Sequence, residues 1–401
     1  MNIGLDARTM TVLRPRGTGR NLLDLFRRVP LLRPDWRFIL YHQRPLSVAD
    51  RARPDAPWQL PNVELRQIDL PGDRLDAWFQ LRLPYAARRD QLDLLHLPAN
   101  AAPAWCPVPS VVTIHDLIPL TLPGELSPRA TRAFRRGIVR TVHNATRIIT
   151  VSRATRDVLR REFDVPEARM TVIPWAPDAR MLAAATAPLT AAERRRIQVR
   201  YNLGPRWLVN FSGSTRRKNA TGVLAGFAQV APQVRGDLQV VLLGCEPEAY
   251  RAELVARAEQ LGIGAGCRIL GFIPHDDLPA LLRASAGLLM PSRGEGFGLP
   301  ILDAFACGVP VLTSNVSSMP EVADDAAVYC DPDDAGSIAA GIAKLLEPSV
   351  ATRLVEAGRR RLALFDWERT AAAVCAVYEQ CLARSPVSEP LAAASCEECL
   401  R

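Results

Sequence analysis

Two rhythms alternate along the chain. Short apolar runs of strand length are separated by longer segments whose apolar residues recur at helical spacing, the pattern of parallel sheets with helical connections. In the first half, Asn2–Leu5, Trp36–His42, Val63–Asp69, Asp93–Leu97, Ser110–Ile114, Arg147–Val151 and Met170–Trp175 are predicted strands. Trp207–Phe211, Leu238–Leu243, Cys267–Leu270, Ala286–Pro291, Val309–Thr313 and Ala327–Cys330 repeat the theme. The fold class is therefore α/β, in two doubly wound domains. The first takes residues 1–178 and the second 201–365, with a linker at 179–200, where Pro177 and an Ala/Thr-rich stretch break the strand rhythm. Residues 366–385 open with DWERTAAAV and predict a helix packing across the domain junction, while 386–401 lose periodicity and form a loose tail.

A length of 401 residues suits two such domains, and 48% hydrophobic with 23% charged residues excludes collagen-like, mucin-like and disordered chains. The formal charge of +8 is unevenly placed. Residues 1–178 hold 27 Arg and no Lys against 18 Asp and Glu, net +9; residues 179–401 hold 23 basic against 24 acidic residues, net −1. A basic surface of this kind suits nucleic acid, an anionic membrane or a phosphorylated substrate. Nine irregularly spaced cysteines, behind an N-terminus without the charged and apolar regions of a signal peptide, point to a reduced cytosolic setting. Cys396 and Cys399 form a C-x2-C with neither a second pair nor a histidine, so no metal site is expected. The apolar stretch from Gly296 to Ser314 is interrupted by Pro300, Asp303 and Pro310, and is read as loop, helix and strand rather than a membrane span.

In open parallel sheets, ligands collect beyond the carboxyl ends of strands. Those positions here are Asp6, His96, His115-Asp116, Ser152, Ser212-Gly213, Gly244, Gly271 and Ser292. The richest follows Ser292, in SRGEGFGLPILDAFACG, residues 292–308. Pro300 suits a first helical turn and Gly308 a helix end, which predicts a two-turn helix over 300–307. At its positive end the N–H groups of Phe297, Gly298 and Leu299 form an anion site suited to a phosphate, and Gly294, Gly296 and Gly298 let the backbone approach a ligand. Glu295, and Asp303 in the helix's first turn, would accept hydrogen bonds from hydroxyls on either side. A phosphate between two such carboxylates describes a nucleotide-sugar; a Gly-rich turn with two solvated acids has the same residues.

In FSGSTRRKN, residues 211–219, a turn at Gly213 follows a strand and sets Arg217 and Lys218 where a diphosphate would meet a guanidinium fork and an ammonium. The alternative is a solvated basic turn. Gly17, Thr18, Gly19 and Arg20 lie between the first strand and a helix but lack the third glycine of the dinucleotide fingerprint. They are read as a flexible loop bordering the cleft, with Arg20 reaching for a phosphate. His115 closes a strand, as a cleft residue or a satisfied core histidine. From Ser127-Pro128 a helix places Arg129, Arg132, Arg136 and Arg140 on one face and Phe134, Ile138 and Val142 opposite. That Arg stripe suits anionic lipid head groups or a lipid-linked diphosphate. Nucleic acid is not expected, because aromatics are 6% and no recognition motif accompanies the arginines. The absence of H-E-x-x-H, G-x-S-x-G and Walker patterns argues against zinc proteases, α/β-hydrolases and P-loop enzymes.

RGTGRNLLDL, TIHDLIPL, ITVSRATRDVL, TVIPWAPD, NFSGSTRRKN and the run from GFIPHDD to YCDPDD together resemble glycosyltransferase family 4, in the family's order, over about residues 1–385. The resemblance implies a GT-B fold, with two Rossmann-like domains facing a cleft, the nucleotide-sugar donor mainly on the second and the acceptor on the first. It also implies retaining transfer with neither metal nor cofactor. Glu295 would contact the transferred hexose, Arg217 and Lys218 the diphosphate, and the Phe297–Leu299 backbone the sugar and phosphate. His115 would lie near the sugar's reacting face, and Gly17–Arg20 beside the acceptor and phosphates. Two positions depart from the family: Asp303 replaces its second Glu and is shorter by roughly 1.5 Å, and Ser214 stands where an Arg is common. HDLIPL looks like polysaccharide mannosyl- and rhamnosyltransferases. The favoured expectation is transfer of mannose from GDP-mannose to a lipid-linked saccharide in cell-surface polysaccharide or lipopolysaccharide synthesis. The enzyme would be cytoplasmic or peripheral on the cytoplasmic face of the inner membrane, held by its basic first domain. UDP-glucose, UDP-GlcNAc or dTDP-rhamnose as donor, a non-hydrolysing epimerase, and a catalytically silent sugar-nucleotide-binding partner stay open.

Overall fold

All thirteen predicted strands form, because each apolar run is short enough to cross a sheet and is covered by helices on both faces. The computed structural model describes residues 1–12, 17–70 and 76–383. The strands of the first sheet are β1 (Asn2–Asp6), β2 (Arg37–His42), β3 (Val63–Gln67), β4 (Leu94–Leu97), β5 (Ser110–Ile114), β6 (Arg147–Thr150) and β7 (Met170–Val172). Those of the second are β8 (Arg206–Asn210), β9 (Leu238–Leu242), β10 (Cys267–Ile269), β11 (Gly287–Met290), β12 (Val311–Ser314) and β13 (Ala327–Cys330). Every pairing is parallel, in the orders β3-β2-β1-β4-β5-β6-β7 and β10-β9-β8-β11-β12-β13. The second sheet therefore reverses its winding between β8 and β11. Loops leaving the carboxyl ends of two such strands diverge to opposite faces and leave a crevice.

The sheets share a core where they meet. One apolar cluster runs from Ile3 and Phe26 through Trp175, Trp207 and Phe305 to Trp367 and Tyr378. The segment 179–200 is largely helical: Ala179–Ala184 buries Met181, and Ala191–Tyr201 buries Ile197 behind a capping box of Thr190 and Glu193. Helix Trp367–Ala383 returns to the first sheet, where the Trp367 indole N–H donates to the Pro177 carbonyl at 2.8 Å and the Thr370 hydroxyl to that of Pro174 at 2.9 Å.

This helix corrects the reading of His96 as a cleft position. His96 is buried beneath it, with Nδ1 2.6 Å from the Tyr378 hydroxyl and Nε2 2.8 Å from Thr113 Oγ1. Asp6 is likewise buried and is paired with Arg8 at 2.8 Å. The tail 386–401, with Cys396 and Cys399, lies outside the described residues, whose seven cysteines are free thiols. Among the described residues no helix is long and apolar enough to cross a membrane.

Candidate functional site

A cavity of about 500 Å³ lies between the two sheets. Gly17, Thr18, Arg20, His115, Gly213, Arg217, Lys218, Glu295, Gly296, Phe297, Gly298, Leu299 and Asp303 all line it. Gly19 does not, being buried in helix Thr18–Phe26, and neither do Gly294 or the strand-end positions Asp6, His96, Ser152, Ser212, Gly271 and Ser292.

The second sheet's reversal brings the loops after β8 and β11 together here. The helix after β11 is Leu299–Ala306, with Gly298 at its N-cap at φ 115°, a conformation in which a side chain would be strained. No side chain caps it, so the N–H groups of Phe297, Gly298 and Leu299 have no hydrogen-bond partner among the described residues. Asp303 is its fifth residue, at the start of the second turn and one residue beyond the expected first-turn position. The loop before the helix is held from below: the Ser317 and Ser318 hydroxyls donate to the Glu295 carbonyl at 2.6 and 2.9 Å, and Ser318 also to that of Phe297 at 2.8 Å. It rests on the first domain at Gly296, where a Cβ would fall 2.4 Å from the His115 carbonyl oxygen and 2.9 Å from Asp116 Cβ.

Glu295 and the cations after β8 meet each other. Arg217 reaches Glu295 Oε2 at 2.5 Å and the Gly294 carbonyl at 2.9 Å; Lys218 Nζ lies 3.3 Å from Oε1, which also accepts the Ser292 hydroxyl at 3.0 Å. Burial alone would raise the Glu295 carboxyl, but Lys218 and Arg217 overcome it and hold the group below its ordinary value. From the first domain, Glu125 accepts the Arg217 backbone N–H at 2.9 Å.

His115 Nε2 lies 2.6 Å from the Pro98 carbonyl, which can only accept, so Nε2 carries the proton and Nδ1 is the bare nitrogen. Burial lowers its pKa, only partly offset by Pro98 and Asp116, and the ring stays neutral near pH 7. Gly17–Arg20 form the N-cap and first turn of a helix instead of a flexible loop. Arg20 is committed to Asp178 at 3.2 Å, where that aspartate's N–H donates to Asp303 Oδ1, also at 3.2 Å. Burial, and after it the Asp178 charge, push Asp303 up to about 7.

Several lining residues escaped the sequence reading. Phe272 and His275 follow β10, where the strand-end rule had already marked Gly271. Asp178 ends TVIPWAPD and caps the next helix through Arg180 N–H, a cap signal available in sequence. Glu125, which touches Arg217 without lining the cavity, sits in a polar loop with no local signal of its role.

Residues 193–361 match the model for glycosyl transferases group 1, and 16–179 that for Glycosyltransferase Family 4. O-antigen chain mannosyltransferase B of Escherichia coli is 30% identical over 262 residues, 65% of this chain and 67% of that protein. MMP alpha-(1->4)-mannosyltransferase of Mycolicibacterium hassiacum is 28% identical over 292 residues, 69% of this chain and 66% of the relative. The matches thus span about two thirds of those relatives. Among solved structures, Anabaena HepE in complex with UDP and glucose superposes with a TM-score of 0.72 at 17% identity, covering 94% of this chain and 99% of that one.

Proposed function

The chain belongs to the family 4, group 1 glycosyltransferases, and from that premise we propose that it moves mannose from GDP-mannose onto a lipid-linked saccharide, with retention of configuration. It is a glycosyltransferase with the GT-B fold. The observation that carries the donor reading is the convergence on one cavity of Arg217, Lys218 and the three unpartnered N–H groups at the start of helix Leu299–Ala306. These are the groups that recognise a diphosphate.

Arg217 and Lys218 take up the negative charge that grows on the departing nucleoside diphosphate, and fixed donors do this without reorganising during the reaction. As charge builds there, their hold on Glu295 loosens and frees its carboxylate for the sugar hydroxyls. Neutral His115 offers Nδ1 to another hydroxyl near the reacting face. The acceptor hydroxyl attacks from the side on which the diphosphate leaves, its oxygen bonding to the anomeric carbon as the bond to the diphosphate breaks and its proton passing to the departing diphosphate. Mannose is supported by the two mannosyltransferase relatives and by HDLIPL. The acceptor reading rests on the basic first domain, whose Arg129, Arg132, Arg136 and Arg140 are exposed on helix Pro128–Asn144 and would meet an anionic membrane face.

A thermal-shift panel of GDP, UDP, ADP and dTDP tests the donor, since a ligand at 100 times its Kd adds about 2.7 kcal/mol. GDP is expected to stabilise most, and a glycosylated acceptor of retained anomeric configuration is expected from GDP-mannose. Stabilisation by UDP alone would replace the donor, and a changed sugar nucleotide without transfer would mark an epimerase.

A further inference from the structure

A second cavity, of about 380 Å³, adjoins the first and shares Asp116 and Glu295 as lining residues. It is walled by the Asp116–Leu122 segment after β5, by helix Arg153–Phe163 and by Gly294 with Ser317 of the second domain. Its apolar residues are Leu117, Ile118, Leu122 and Val158, and its polar ones include Thr121 and Asp157. In two carboxylates one oxygen is engaged and the other has no hydrogen-bond partner among the described residues. Asp116 Oδ1 accepts the Ile118 N–H at 3.1 Å, and Asp157 Oδ1 accepts two N–H groups of Arg156 at 2.9 and 3.0 Å.

We infer that this cavity is the subsite for the acceptor's neutral sugar ring, an inference that rests on the transferase reading and adds to it the place and chemistry of the acceptor. An apolar patch flanked by carboxylates fits a pyranose, whose C–H face is apolar and whose hydroxyls donate to carboxylate oxygens. It does not fit a phosphate. Asp116, which has no ion pair among the described residues, would repel one, and the two arginines lining the cavity each already have a carboxylate partner, Arg161 in Glu162 at 3.2 Å and Arg293 in Asp333 at 2.6 Å. The first cavity, with Arg217 and Lys218 on its wall, has the opposite chemistry. Because Asp116 and Glu295 border both spaces, a sugar held here would lie beside the donor cavity, and the Asp116 carboxylate would orient its attacking hydroxyl.

The test is binding of methyl α-mannoside and an α-mannobiose to the full chain with saturating GDP, read by saturation-transfer NMR, which detects millimolar affinities. Wild type is expected to bind the disaccharide. Leu122→Trp, which fills the cavity, and Asp157→Ala, which removes an acceptor, should weaken it about tenfold while GDP binding is unchanged. Unchanged mannobiose binding in both variants, tighter binding of mannose 6-phosphate than of mannobiose, or no saccharide signal from wild type would each overturn the inference. Failure of the donor reading shows separately: a chain that holds mannobiose here but binds UDP in place of GDP leaves this subsite standing.

Discussion

Glu295 engages two cations at once, and that pairing makes its role separable from theirs. An entering diphosphate must share Arg217 and Lys218 with the carboxylate that already holds them at 2.5 and 3.3 Å. Glu295→Gln removes the competing charge while keeping size and polarity. It should therefore tighten GDP severalfold in a calorimetric titration and lower kcat at least tenfold, about 1.4 kcal/mol in barrier. Lys218→Ala should weaken GDP and lower kcat together. If Glu295→Gln weakens GDP as well, the carboxylate is not the diphosphate's competitor. Asp303 gives a second handle, through pH. Its carboxyl rises to about 7 in the folded chain against 3.8 as its ordinary value, so between those pH values the folded state holds a proton that the unfolded state has lost. Stability should accordingly fall as pH rises from about 4 through 7 and level off above, and Asp303→Asn should flatten that decline by about 1 kcal/mol or more. Urea unfolding of both proteins at pH 5 and 8 measures it. Glu295, Arg217 and Lys218 were legible in sequence because each follows a strand end. Their mutual pairing was not, since the partners lie 78 and 77 residues apart and only the reversal between β8 and β11 joins them.

At the scale of elements, the loop before helix Leu299–Ala306 is the contact through which the second domain meets β5 of the first. Gly296 is required there for space. A methyl group would press on the His115 carbonyl oxygen and on Asp116 Cβ, neither of which is a flexible side-chain end. Gly296→Ala should push the loop off the His115–Asp116 segment and shift Glu295 within the cavity. Expected is at least a tenfold fall in kcat/KM, about 1.4 kcal/mol, with a circular-dichroism spectrum and GDP-induced thermal shift close to wild type. A full loss of the folded transition would place the defect in folding. The helix itself was legible because Pro300 and Gly308 punctuate it, and the strands because both faces of each are covered. Two elements were misjudged for one reason. Gly17–Arg20 looked like a loop because two glycines weaken a helix locally, and His96 looked like a cleft residue because it ends a strand. Tertiary packing decided both: Asn21, Leu22, Leu23 and Phe26 bury the first helix, and the distant helix Trp367–Ala383 covers the histidine.

For the whole molecule, the charge asymmetry becomes a statement about orientation. Residues 1–178 carry net +9 and residues 179–401 net −1, so an anionic bilayer would attract the first domain and not the second. Helix Pro128–Asn144 gathers part of that excess on its outer side, with Ile138, Thr141 and Val142 turned inward and Arg129, Arg132, Arg136 and Arg140 exposed. Asn144, at its end, donates to the Ala104 carbonyl at 3.0 Å beside Trp105, whose side chain is 53% exposed, an indole in reach of an interface. The proposed acceptor subsite lies under the Asp116–Leu122 segment that packs against the same helix, so a membrane on this side would deliver a lipid-linked sugar toward the cavity. Each arginine near an anionic surface contributes roughly 1 kcal/mol, so changing all four to Ala should weaken sedimentation with phosphatidylglycerol vesicles by roughly a hundredfold or more. Wild-type binding should also fall steeply between low and physiological salt, where the screening length shortens to about 8 Å. Transfer to a short, soluble acceptor should be unaffected in the quadruple variant, while transfer to a vesicle-borne acceptor falls. Equal loss on both acceptors would move these arginines from membrane capture to the chemistry of the cleft.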